Sequence, residues 1–227
     1  MRVYGNALAL LAVLMMPQAS VAAAVGTSGL SLGLRSGYGI PKGYAAQGQD
    51  LSQNRVKGMI PVWVDIGYRW SSNFYLGAFL QYGLGYSPNT CGSDLGCSVN
   101  DLRFGVNAHY HLLPAALFDP WVGLGFGYEI LNQSISGNVV GTPVNASSHL
   151  SGLEFINLQV GGDFRLSSNL SLGPFVAFTV NQFSRASVSL GGGSNPIDLT
   201  NKAIHDWMIV GVRGVFDLSL QPSDHAN

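Results

Sequence analysis

Arg35, Asp65, Arg69, Arg103, Glu129, Asp163, Arg165 and Arg213 all fall on the polar side of stretches in which polar and apolar residues alternate. When a fold gathers such groups, two outcomes are open. They form a charged constriction that selects solutes, or they pair as arginine–carboxylate bridges and fill the space they share, since an unpartnered buried ion is costly. His109 and His111, two residues apart, could hold a metal, but no dense set of further ligands accompanies them. Interior histidines with ordinary hydrogen-bond partners are expected instead, and no metal. His149-Leu150-Ser151 followed by Glu154 has the residue types of a hydrolytic set, yet the acid stands only three residues after the serine. There is no Gly-x-Ser-x-Gly elbow, phosphate loop or paired catalytic carboxylate. The expectation is a protein that is not an enzyme and needs no cofactor.

These residues sit in an unusual background. Of 227 residues, 47% are hydrophobic and only 10% are charged; 30 are glycine, and the net charge is −1. The apolar content excludes disorder, and the absence of a basic excess argues against nucleic acid. Charge this sparse cannot coat a water-facing surface generously, since ordinary domains carry about 25%. No mature stretch holds 18 consecutive apolar residues, which excludes a helical membrane protein. The N-terminus reads as a cleaved signal peptide over residues 1–24: Arg2, the apolar run Ala7 to Met16, Pro17, then small residues through Ala24. Export makes Cys91 and Cys97 an expected disulfide closing a small loop. A metal there would need two more ligands, and that segment contains no His.

The mature chain divides into eight stretches of period-two alternation, near 28–38, 58–70, 74–86, 101–112, 121–135, 152–166, 170–185 and 203–218. In the fourth, Leu102, Phe104, Val106, Ala108 and Tyr110 share one face, while Asp101, Arg103, Asn107, His109 and His111 share the other. Connections alternate in length. Ser71-Ser72-Asn73 and Ser167-Ser168-Asn169 are tight, and Pro114 to Pro120 is modest; 39–57, 87–100, 136–151 and 186–202 are long. That rhythm describes an up-and-down meander, and the echo between 65–73 and 161–169 suggests a repeated hairpin.

Alternation alone does not say which face is wet. Stretches of about 11–16 residues suit a tilted bilayer crossing better than a soluble strand. Lys42, Lys57 and Lys202, the only lysines, lie in the long connections or at their edges. Aromatics gather at two levels: Tyr68, Trp70, Phe74, Tyr110, Trp121 and Phe216 towards the short turns, and Tyr38, Tyr82 and Tyr86 towards the long connections. Such girdles belong to lipid–water interfaces.

On these patterns the chain resembles the eight-stranded outer-membrane β-barrel family of the OmpA transmembrane domain, OmpX and OmpW. The fold expected is therefore all-β, an eight-stranded antiparallel up-and-down transmembrane β-barrel over residues 25–218, with a short polar tail over 219–227. The resemblance implies a Gram-negative outer membrane, periplasmic short turns and extracellular loops. Proteins of this kind often end on an aromatic residue, whereas here Phe216 is followed by Asp217 to Asn227. With the apolar face outward, the eight charged residues point into the lumen, with glycines 123, 125, 127 and 161 making room for arginine heads. A filled barrel is expected, a monomer with membrane lipids and lipopolysaccharide as neighbours. Its role would be structural or one of surface interaction, through four long external loops that meet an extracellular ligand or surface. A small pore for modest or hydrophobic solutes is the alternative, and a lipid-modifying hydrolase a third reading.

Overall fold

The computed structural model describes residues 28–87, 95–139, 142–190 and 193–219. The leader, Cys91 and the tail beyond Ser219 lie outside these residues, and with them the expected cleavage site and the Cys91–Cys97 pairing. Eight strands make the wall: β1 (Gly29–Ala46), β3 (Gly58–Arg69), β4 (Phe74–Tyr86), β5 (Leu95–His111), β6 (Phe118–Val139), β7 (Thr142–Arg165), β8 (Leu170–Leu190) and β10 (Ile204–Ser219). Each pairs antiparallel with its successor, and β10 pairs with both β8 and β1. Leu34, for example, lies opposite Val64 on β3 and Gly214 on β10. The ring is closed. Closure leaves no strand edge with unmet N–H and C=O groups, the condition a lipid environment imposes.

The pleat then sorts side chains by parity. Leu34, Ile66, Leu84, Val106, Leu124 and Val212 are exposed on the outer face, Leu34 and Leu124 at 59%. Arg35, Gln81, Arg103, Glu129, Gln159 and Asn181 are buried on the inner one. The oily side is outside.

Three features depart from the sequence expectation. First, the described residues of two long connections, 136–151 and 186–202, are largely strand. β6 and β7 pair out to Val139 and Thr142, and β8 turns back through β9 (Gly193–Asp198). Alternation fades there because both faces meet water, so periodicity stops marking the strand. The ladders that join β5, β6, β7 and β8 are consequently longer than those that join β10, β1, β3 and β4, and the paired wall is lower on that second side.

Second, Trp121 is not part of the outer girdle; it is 1% exposed inside the barrel. It shares parity with Gly123, Gly125 and Gly127, and a Cβ at Gly161, opposite it in register, would run into its indole ring. A glycine on the neighbouring strand makes the space that the ring occupies.

Third, two strands change parity at bulges. Phe155 on β7 is an extra residue between Glu154 and Ile156, so Phe155 and Ile156 both face out. Alternation counted from Asp163 would put Glu154 in lipid; the bulge turns it into the lumen. Ser184 is the matching irregularity on β8.

The segment between β1 and β3 folds inward as a lid. After a turn at Gly48, which has positive φ (78°) as glycine permits, β2 (Gln49–Asp50) pairs back on β1 and leads into α1 (Leu51–Asn54). Asp50 caps that turn, accepting from the Ser52 hydroxyl at 2.7 Å and the Gln53 amide at 3.0 Å. These two donors hold its carboxyl below the ordinary aspartate range. Leu51 and Val56 are fully buried in one cluster with Met59, Val99, Leu131 and Leu150.

Candidate functional site

Eight strands enclose a space that side chains just fill, and here they fill it in layers. Nearest the short turns, His111 meets Asp119 (Nδ1–Oδ2 2.7 Å), and Arg69 reaches Asp217 at 3.4 Å and donates to the Ser72 carbonyl at 3.1 Å. A cavity of about 60 Å³ opens at this end, lined among others by Arg69, His111, Asp119, Asp163, Arg165 and Asp217. It holds a few waters at most. A smaller space of about 10 Å³ lies against Arg35 and Arg213.

The next layer is a pair of arginine forks. Arg35 donates to Asp65 twice (2.6 and 2.9 Å) and to the Gln159 side-chain carbonyl at 2.6 Å. Asn107 adds a donor to Asp65 at 2.7 Å. Arg213 donates to Asp163 through Nε at 2.9 Å, and the Trp121 indole N–H donates to the same carboxylate at 3.2 Å. Both guanidiniums stack on indole faces, Arg213 3.7 Å from the Trp121 ring centre and Arg35 4.5 Å from that of Trp63. His109 lies between the two forks, 3.3 Å from Arg35 Nη2 and 3.4 Å from Arg213 Nη1, and stacks on Tyr75. His109 and His111 thus have separate partners and do not converge on one point.

Above this, Arg103 is a hub. Asp101 lies 3.1 Å from its Nε, Glu154 3.4 Å from Nη1 and Glu129 3.6 Å from Nη2, which also donates to Thr179 at 3.2 Å. Glu129 in turn takes His205 at 2.7 Å and the Trp207 indole N–H at 2.8 Å. The layers are joined: Gln159 donates to Asn157 at 3.0 Å, and Asn157 donates to Glu154 at 2.7 Å. A polar chain therefore runs from Asp65 through Arg35, Gln159, Asn157 and Glu154 to Arg103.

Seven of the eight sequence-identified charges (Arg35, Asp65, Arg69, Arg103, Glu129, Asp163 and Arg213) are buried inside. Arg165 is the exception, half-buried at the short-turn rim and donating to the Pro114 carbonyl. Asp101, Glu154, His205, Gln159, Asn157 and the three inner tryptophans escaped that set. Strand parity carried the signal for all of them but Glu154: Asp101 alternates with Arg103, Trp63 with Asp65, Trp121 with Gly123, Asn157 and Gln159 with Asp163, and His205 and Trp207 with Arg213. Glu154 could not be read without the bulge. The residues of the His149/Ser151/Glu154 set have unrelated partners: His149 is exposed and bonded to Asn132, Ser151 accepts from the Tyr128 hydroxyl, and Glu154 serves Arg103.

The lid closes the far end. Arg55 donates to Gln133 at 2.9 Å and Ser148 at 3.2 Å, and Gln133 donates back to the Arg55 carbonyl. Arg55→Ala should free this latch while lowering barrel stability by no more than about 1 kcal/mol, because the bonds it loses are partly solvated. Limited proteolysis should then cut within residues 47–57 of the variant and spare the wild type.

No family model matches this chain, and no curated protein matches it significantly. Solved structures do. A major outer membrane protein from Thermus thermophilus superposes with a TM-score of 0.51 at 11% identity, over 83% of this chain and 99% of that one. The outer membrane protein AlkL, determined by solid-state NMR in lipid bilayers, gives 0.50 at 14% identity, over 92% and 100%. At such identities the likeness is one of fold: the chain is an eight-stranded barrel of the outer-membrane type.

Proposed function

We propose that the protein resides in a Gram-negative outer membrane as a monomeric, closed and non-catalytic barrel. In this reading it serves a structural or surface-interaction role through the hairpins and loops at its lid end. Lipopolysaccharide and membrane lipids surround the wall, and an extracellular ligand or surface meets the tall β5–β9 side. The observation carrying this reading is the side-chain filling of the lumen. Two arginine forks, the Arg103 hub and the lid residues Leu51 and Val56 follow one another along the axis, and buried charges held beside their counter-charges leave a passing solute no open path.

Conductance tests it. Purified protein reconstituted in a planar bilayer should show no steady single-channel current, while heat-modifiable gel migration and membrane fractionation report a folded, inserted barrel. A large, steady conductance from the folded protein would overturn the closed-barrel reading and favour a pore.

A further inference from the structure

We propose that the short wall at the lid end, formed by β10, β1, β3 and β4, is a docking surface for the phosphate groups of anionic lipids in the adjoining leaflet. The lysines cluster while the arginines are spread, from the lumen to the rims at Arg55, Arg165 and Arg185. Arg35, Arg69, Arg103 and Arg213 are buried in the lumen, whereas Lys42, Lys57 and Lys202, all the lysines of the chain, are exposed on this one sector. Lys42 lies on β1 three residues beyond the Gly39–Met59 rung, and Lys57 lies two residues beyond that rung, ahead of β3. At the rise of a strand, both are within about 10 Å of that level. Lys202 precedes β10, where the Gln47 amide donates to the Asn201 carbonyl at 3.1 Å.

Four exposed tyrosines flank the same positions, Tyr38 and Tyr44 on β1 and Tyr82 and Tyr86 on β4. Together they mark where the apolar belt ends and headgroups begin. The acids nearby are Asp206, opposite Lys42 in register, and Asp50, which is engaged in capping α1. Among the described residues the ion pairs use arginine and histidine, and none uses a lysine. The tall wall differs: at its far end β6 and β7 present Ser134, Ser136, Asn145 and Ser147 to solvent.

The chemistry fits the residue type. Guanidinium is suited to buried, two-pronged pairing with carboxylate, while a lysine is a compact, mobile point charge whose stem can lie along apolar surface and lift its ammonium to a phosphate. An anionic surface attracts each such lysine enough for roughly a five-fold gain in binding. Three together should give about two orders of magnitude.

This inference rests on the membrane-resident reading for which end meets a leaflet. The full chain in mixed micelles of phosphatidylcholine and phosphatidylglycerol is examined by native mass spectrometry. Wild type should retain phosphatidylglycerol preferentially, and K42Q/K57Q/K202Q should lose that preference by roughly a hundred-fold, with heat-modifiable migration unchanged. Arg185→Gln on β8, where Arg185 is exposed beside Asp198, should leave the preference intact. Inorganic phosphate should not displace the lipid. Equal preference in the triple variant, or displacement by free phosphate, overturns the docking surface. A barrel that inserts into vesicles without such preference defeats this inference alone, whereas a folded chain left in the aqueous fraction removes the membrane reading as well.

Discussion

Replacing Arg103 with methionine should destabilise the folded barrel by roughly 3–5 kcal/mol, the range for removing one partner of a buried ion pair. Asp101, Glu129 and Glu154 all lie within 3.6 Å of that guanidinium. None can reach bulk water, since each is at most 1% exposed. Without Arg103, Glu129 keeps His205 and Trp207, and Glu154 keeps Asn157, but Asp101 loses its cationic neighbour. Methionine fills much of the volume, so the loss reports charge rather than a cavity. Adding Glu154→Gln to Arg103→Met should recover part of the loss, because it removes one of the stranded carboxylates and leaves an amide able to accept from Asn157. Urea titration of the vesicle-embedded protein, followed by tryptophan fluorescence, measures both. An unchanged midpoint for Arg103→Met would show that the hub contributes nothing, and a double variant weaker than the single would contradict the electrostatic account.

Val106→Arg should cost about 2–4 kcal/mol, the penalty for a cation on the lipid face near the bilayer midplane. Val106 is 54% exposed and lies mid-strand on β5, between Ala78 on β4 and Phe126 on β6. In a barrel whose outer face met water, an arginine at such a site would be harmless, since exposed substitutions usually change stability by less than about 0.5 kcal/mol. The same urea titration in vesicles therefore tests the inside-out arrangement directly. A neutral result would remove the lipid-facing assignment of the whole Leu34–Val106–Leu124 surface. The two substitutions probe opposite faces of one strand, separated by three residues.

The three lid-end lysines and the inner arginines are distinguishable by position along the chain alone. So is the membership of seven of the eight inner charges, because a pleated strand puts alternate residues on opposite faces whatever its neighbours are. Local periodicity carries that information. It failed where the period itself changed. Alternation counted from Asp163 puts Glu154 outward, because Phe155 is an extra residue in β7; Trp121 is a different case, read as a girdle aromatic from its place near a strand end although its parity points inward. The lid was invisible for a related reason: Leu51 and Val56 are two apolar residues in a polar stretch, and nothing local says that they turn back into the mouth.

What the amino-acid order alone determined is therefore the number of spanning strands, the greasy exterior and most of the charges turned inward, all consequences of a two-residue repeat. Which arginine meets which acid was decided by the closed ring. Arg35 finds Asp65 30 positions away and Gln159 124 positions away. Such partners are set by strand register, by the bulges at Phe155 and Ser184, and by closure of β10 on β1. These are properties of neighbouring strands taken together, and no single strand contains them.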